Sequence, residues 1–240
     1  MAGWFRKKQR QSAPACAAVV AAAGSSTRMG EDKLMLPLGE EPVILHTLRV
    51  LELCPYVEEI VVVTREQLIV PLGELCRDYQ LEKVRKIVLG GVTRTQSVRL
   101  GTLEVSEQTE LIAIQDGARP LVSQQVLEQV ILTAARCGAA APAVPVKDTI
   151  KRAENGVVLE TPERSQLFAV QTPQVFEAGL IRAALHKALE DGAEITDDCS
   201  AVERLGMKVT LTPGADENIK ITTPADLAAA EAFLSRREAW

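Results

Sequence analysis

Apolar residues along the chain fall into two alternating patterns, short unbroken runs and longer stretches with helical spacing. The unbroken runs are CAAVVAAA (Cys16–Ala23), EEIVVVT, KIVLGG, LIAIQD and AAAPAVPV. They lack sustained polar alternation, so they predict short strands buried on both faces. Between them, PVILHTLRVLEL, a segment near Glu66–Asp78, TQSVRLGTLEV and SQQVLEQVILTAARCG predict helices. Pro42 suits a first helical turn, Ser123 a cap, and Gly138 the position just past a helix end. In TQSVRLGTLEV the helical spacing falls on Val98, Leu100, Leu103 and Val105. Such strands alternating with helices predict an α/β fold, a mostly parallel sheet covered by helices on both faces.

The rhythm breaks at Asp148. DTIKRAENGVVLET sets Asn155-Gly156 between two β-prone runs, a strong hairpin signal, and SQLFAVQTP continues in extended form. A charged hairpin with little core to cover it reads in two ways: an arm projecting towards a partner subunit, or an edge hairpin packed on its own domain. Helices near Glu177–Glu190 and Asp198–Leu205 follow, then strands KVTLT and NIKIT, and a capped helix from Thr223 into LAAAEAFL. The expected organisation is a flexible tail over 1–14 and one domain over 15–236, with the arm inserted at about 147–172.

Composition narrows the chemistry. Arg6, Lys7, Lys8 and Arg10 before ACAAVVAAAG imitate a signal peptide, but the run is mostly Ala, and cleavage there would remove the first strand. No run is long enough to span a bilayer. A net charge of −5, a pI of about 5.3 and 3% aromatics argue against a nucleic-acid or membrane partner. An anionic ligand must therefore be held by a few placed cations. Five scattered cysteines without a C-x-x-C pair read as buried thiols of a reduced, cytoplasmic chain. With only two histidines a zinc site is not expected, and His46 reads as a helix residue with a local partner.

The first strand empties into Gly24-Ser-Ser-Thr-Arg-Met-Gly30, with Lys33 close behind. This is neither a Walker A loop nor the dinucleotide G-x-G-x-x-G. It nevertheless follows the C-terminal end of a strand, where open α/β sheets bind ligands. Gly24 lets backbone N–H groups approach phosphate, and the hydroxyls of Ser25, Ser26 and Thr27 add donors. Arg28 offers a planar fork and Lys33 a compact charge. The competing reading is a polar surface turn; the two cations at this sheet position favour a phosphate site.

The stretch RMGEDKLMLPLG resembles the loop of nucleotidyltransferases that activate sugars and cofactors, the molybdenum-cofactor guanylyltransferases among them. LGGVTRTQSV, IQDGARP, VKDTIKRAENG with ERSQLFAVQTPQVF, and ITDDCSAVERLG with ENIKITTPADL follow in that order. Together they resemble the 2-C-methyl-D-erythritol 4-phosphate cytidylyltransferases of the non-mevalonate isoprenoid pathway. The sequence departs from that pattern in its short Arg28–Lys33 stretch, at Gln115 where His is usual, and at Gly117 where Ala is usual. The resemblance implies a Rossmann-like fold, a homodimer joined through the arm, CTP and methylerythritol phosphate as substrates, and Mg²⁺.

It also implies roles. Arg28 and Lys33 would stabilise the triphosphate, with Ala22, Ala23, Gly24 and Ser25 beside them. Lys220 and Arg164 would hold the acceptor phosphate, Arg164 reaching from the other subunit. Asp116 would face metal and ribose, next to Gly117; Gly90, Gly91 and Ser97 would line the cytosine pocket. Arg119, Thr149, Thr172 and Thr196 would surround the acceptor. Each also has a bland reading as a turn, cap or strand-edge residue. Rival functions are a polyol-phosphate cytidylyltransferase acting on ribitol 5-phosphate, guanylyl transfer to molybdopterin, and a non-catalytic nucleotide-binding module.

Overall fold

The structure is a computed structural model that describes residues 14–24 and 32–238. β1 (Cys16–Ala22) leads through a small ladder, β2 (Pro37–Leu38) and β3 (Glu41–Pro42), into α1 (Val43–Leu53). Then follow β4 (Val57–Thr64), α2 (Glu66–Asp78), β5 (Val84–Leu89), α3 (Arg94–Glu104), β6 (Leu111–Asp116), α4 (Gln124–Cys137) and β7 (Ala139–Pro145). β8 (Arg152–Glu154) and β9 (Val157–Glu160) form the hairpin, after which β10 (Phe168–Val170) and β11 (Gln174–Glu177) rejoin the main sheet. The chain continues as α5 (Ala178–Glu190), α6 (Asp198–Arg204), β12 (Thr210–Pro213) and α7 (Pro224–Glu238).

The main sheet runs β10-β7-β11-β6-β1-β4-β5, with β12 beside β7. β6, β1, β4 and β5 are mutually parallel, and β11 inserts antiparallel between β6 and β7. Successive residues of β1 face opposite sides, and both sides are covered. Ala18 and Val20 join Leu48, Leu72 and Leu127 in one core, while Ala17 and Val19 join Val98, Ile181 and Val202 in the other. That double burial is why β1 reads as an unbroken apolar run. The fold is the expected Rossmann-like α/β arrangement.

Local signals held at several points. Ser123 accepts a bond from the Val126 N–H (3.3 Å), and Gly138 ends α4 at φ 83°. Asn155 (φ 49°) and Gly156 (φ 81°) make the hairpin turn, their positive φ values matching the right-handed twist of the strands. His46 Nε2 meets the Leu38 carbonyl at 2.9 Å. Residues 152–160 of the hairpin are all exposed, which disfavours the packed-edge reading. No helix among the described residues is long and apolar enough to cross a membrane.

Other expectations need correction. Leu100 and Leu103 of α3 are exposed; the face turned to the sheet is Ser97, Val98, Gly101 and Thr102. A Cβ on Gly101 would meet Val19 Cγ1 at 2.5 Å, so α3 lies too close to the sheet for leucines to fit between. NIKIT is not a strand: its backbone is irregular and docks through the Ile221 N–H on the Ala118 carbonyl (2.8 Å). Pro42 is the N-cap of α1 rather than its first residue. Cys137 is exposed, whereas the other four thiols are buried. The expected tail, apart from Pro14, and the loop residues Ser25 and Arg28 lie outside the described residues.

Candidate active site

β1 connects through α1 to β4 on one side, whereas β6 lies on its other side, so the loops leaving β1 and β6 diverge. This is the topological switch point at which open α/β sheets form a crevice. A cavity of about 360 Å³ occupies it. Ala21–Gly24 follow from β1, Gly91–Arg94 and Ser97 from the β5–α3 junction, Asp116 and Ala118 from β6. Lys33 and Leu34 come from the turn before β2, and Lys220 from the segment before α7.

The β5–α3 junction is built tightly. The Gly90 N–H donates to the Thr64 carbonyl (2.8 Å), and a Cβ there would lie 2.5 Å from Ala23 Cβ and 2.8 Å from Ser97 Oγ. Ser97 Oγ accepts from the Gly91 N–H (3.0 Å) and donates to the Thr93 carbonyl (2.9 Å). Thr93 and Gln96 complete a capping box at the start of α3. These bonds bring backbone against the cavity wall with little side chain in between. On the other wall, the Asp32 carboxylate accepts from the Leu34 N–H (3.2 Å) and pairs with Arg65, which holds the turn bearing Lys33.

Charge concentrates on Asp116, which is nearly buried. Lys220 Nζ lies 2.7 Å from Oδ2, Arg94 Nη2 3.3 Å from Oδ1, and Arg119 Nε 3.8 Å from Oδ2. Burial pushes the Asp116 carboxyl up, but Arg94, Lys220 and Arg119 outweigh it and hold it below the usual carboxylate range. Arg94 also makes a two-point pair with Asp198 at 3.0 and 2.7 Å. Burial disfavours the Arg94 charge, and the two carboxylates more than offset it, raising its pKa. Asp198 is fully buried, and burial lifts its carboxyl above the usual range against the pull of Arg94.

The structure thus gathers Lys33, Lys220, Ala22, Ala23, Gly24, Gly91, Ser97 and Asp116 around one cavity. Gly90 lies behind that wall. Gly117 begins the turn after β6, where its carbonyl accepts from Thr47 Oγ1 (3.0 Å). Thr172 and Arg119 form a supporting layer. Thr172 Oγ1 accepts from the Asp116 N–H (3.0 Å), and Arg119 Nη1 donates to the Asn218 carbonyl (2.6 Å). Asn218 in turn donates to Gln171 Oε1 and the Thr172 carbonyl. Thr149 is exposed, Thr196 lines a separate groove with Phe168 and Leu211, and Arg164 donates to the Lys147 carbonyl at the base of the arm (3.0 Å). These three do not line the cavity of their own chain.

Sequence reasoning missed Arg94, Asp198, Asn218 and the Asp32–Arg65 pair. Arg94 was legible as the lone cation within LGGVTRTQSV. Asp198 sits in TDDCS, where a cap reading suffices for the first carboxylate, Asp197, but leaves the second unexplained.

A family model described as 2-C-methyl-D-erythritol 4-phosphate cytidylyltransferase matches residues 16–236. Proteins of that name from Halalkalibacterium halodurans and Desulforamulus reducens are each 46% identical to this chain, over 92% and 93% of it and 97% of their own lengths. Among solved structures, the 4-diphosphocytidyl-2C-methyl-D-erythritol synthase of Anaerococcus prevotii aligns with a TM-score of 0.85 at 30% identity, covering 93% of this chain and 97% of that one. The Thermus thermophilus cytidylyltransferase aligns at 0.76 and 32% identity, covering 91% and 98%.

Proposed function

The chain belongs to the 2-C-methyl-D-erythritol 4-phosphate cytidylyltransferase family, and on that premise we propose how its residues divide the work between two anionic substrates. The protein is a nucleotidyltransferase that transfers CMP from CTP to 2-C-methyl-D-erythritol 4-phosphate. The products are 4-diphosphocytidyl-2-C-methyl-D-erythritol and pyrophosphate. The observation that carries this assignment is 46% identity over almost the whole of both chains.

An oxygen of the acceptor phosphate attacks the α-phosphorus of CTP, and the bond to the β-phosphate oxygen breaks with its electron pair leaving on pyrophosphate. The nucleophile is already an anion, so no general base is required. Positioning and fixed positive charge carry the catalysis. In our reading Lys33 and Arg28 stabilise the triphosphate, with Ala22–Gly24 approaching it through backbone and Ser25 a further binding residue. Gly90, Gly91 and Ser97 form the cytosine pocket, which backbone groups read because the junction leaves little side chain there. Lys220 takes the acceptor phosphate. Thr172 acts behind Asp116 and Arg119 through Asn218 and Asp116, while Thr149 and Thr196, which do not line their own chain's cavity, are assigned with Arg164 to an acceptor site that the arm completes.

Arg164 is assigned to the acceptor site of a partner subunit, making the enzyme a homodimer through the arm. Two features support this: Arg164 is exposed at the arm base, outside the cavity lining of its own chain, and Ile150, Val157, Val158, Leu159 and Phe168 expose an apolar surface along the arm. We also read 15–236 as one domain and place it in the cytoplasm, a reading supported by five cysteines without a disulfide.

Mg²⁺ fits the donor set through Asp116 Oδ1, because Lys220 holds Oδ2 at 2.7 Å and Arg94 comes no closer to Oδ1 than 3.3 Å. Among the described residues no three His, Cys, Asp or Glu side chains gather to hold a metal, and Asp116 is the one carboxylate lining the cavity. A single carboxylate beside substrate phosphates is the arrangement Mg²⁺ favours, since the ion keeps much of its water. Bound there, the ion would neutralise phosphate charge. Pyrophosphate release measured for four nucleoside triphosphates with methylerythritol phosphate, with ribitol 5-phosphate and without acceptor tests the assignment. Turnover confined to CTP with methylerythritol phosphate is expected. Equal turnover with ribitol phosphate, or use of GTP alone, would overturn it.

A further inference from the structure

Asp198 is fully buried, lies outside the cavity lining, and has no part in the reaction as derived so far. A buried carboxylate is costly unless paired, so its bonds show what it is for. Its backbone N–H, together with that of Cys199, donates to Gln174 Oε1 (2.9 and 3.0 Å), which fixes the start of α6. Both of its side-chain oxygens are spent on Arg94, at 3.0 and 2.7 Å.

Arg94 stands between two carboxylates and treats them unequally. Its short bonds go to Asp198, while Nε and Nη2 only brush Asp116 Oδ1, at 3.4 and 3.3 Å. The short bond to Asp116 belongs to Lys220, at 2.7 Å. A guanidinium forks readily onto a carboxylate. Without Asp198, the nearest carboxylate for the Arg94 fork is Asp116. A closer Arg94–Asp116 pair would compete with Lys220 for the same group and repel its ammonium.

We propose that Asp198 is a positioning residue of the transfer reaction: by occupying the Arg94 fork it reserves Asp116 for Lys220, and so holds Lys220 where the acceptor phosphate is taken. This rests on the cytidylyltransferase reading, through the role given to Lys220. Asp198 acts on the acceptor side.

The test uses the full chain with three variants, Asp198→Asn, Arg94→Met and the double variant, beside the wild type. In a crystal structure of Asp198→Asn, Arg94 should close on Asp116 to about 2.8 Å. kcat/KM for methylerythritol phosphate should fall about 10²-fold, the scale for displacing a reacting group by about an ångström. CTP affinity, measured calorimetrically without Mg²⁺, should change by less than about twofold, the scatter expected of uncoupled sites. The double variant should be no worse than Arg94→Met, because Asp198 has nothing to act on once the fork is gone and its buried carboxyl, unpaired in Arg94→Met, is removed. Arg94→Met leaves the Asp198 carboxyl buried without its partner, so if either single variant fails to fold, the double variant, which carries neither charge, is compared with the other and should equal or exceed Arg94→Met and exceed Asp198→Asn. A wild type without CTP-dependent turnover would overturn the cytidylyltransferase reading itself. An active wild type would overturn this inference alone in any of three cases: Arg94 stays in place in Asp198→Asn, that variant keeps wild-type efficiency, or the two losses multiply in the double variant.

Discussion

Gly90→Ala adds one methyl group behind the cavity wall, between Ala23 and Ser97. Gly90 does not have a left-handed φ, so the substitution meets no backbone strain and acts by contact alone. The new Cβ would lie 2.5 Å from Ala23 Cβ, where ordinary contact begins at 3.4 Å, so the walls must part by about 0.9 Å. Ser97 Oγ, 2.8 Å away, would be pressed at the same time, although it already holds the Gly91 N–H and the Thr93 carbonyl. Overpacking of this kind costs about 1–3 kcal/mol, which at this chain length lowers Tm by about 2–12 °C. The effect on catalysis should be larger in proportion, because displacing a binding wall by about 1 Å costs about 10²-fold in rate. Steady-state pyrophosphate release and thermal unfolding measure the two effects separately. Gly90→Ala/Ala23→Gly removes the 2.5 Å contact but keeps the one with Ser97 Oγ, and should recover part of kcat/KM. A double variant as poor as Gly90→Ala, or a single variant with normal kcat/KM, would refute the steric argument.

Lys33→Ala should lower kcat by roughly 10²–10³, the scale for losing one preorganised charge-stabilising group; a near-normal kcat would remove Lys33 from the triphosphate site. Lys33→Ala and Arg164→Ala, each inactive alone, should regain about a quarter of wild-type activity when their subunits exchange, because about half the dimers then carry one intact site. No recovery despite verified exchange would place Arg164 in its own subunit's site. The Asp116 carboxyl is held below its usual range, so its ionisation adds stability above the ordinary carboxylate pKa, and this is lost as pH falls through the folded value. Asp116→Asn should therefore show a shallower acid-side decline in Tm than the wild type, and an equally steep decline would contradict the assignment.

The order of residues alone determined the β/α alternation, because strand segments buried on both faces must be apolar throughout, as β1 and Ile60–Val63 of β4 are. It also determined the hairpin turn and the α4 ends, which rest on the backbone freedom of Asn155, Gly156 and Gly138 and on the Ser123 hydroxyl, all local properties. The buried face of α3 was not legible, since hydrophobic spacing points to Leu100 and Leu103, whereas Gly101 allows so close an approach that only small side chains fit beneath the helix. Nor was the NIKIT segment, whose β-prone residues are held by docking on the turn after β6 rather than by a neighbouring strand. Within the site, Gly91, Ser97, Asp116, Lys33 and Lys220 were found through family motifs that lie contiguous in the chain. Arg94 and Asp198 stand 104 residues apart, and their pairing exists only because α3 and α6 cover the same face of the sheet. Which cation satisfies which carboxylate is a matter of distances of about 3 Å in a buried, low-dielectric setting, and those distances are set by the packing of the helices on the sheet.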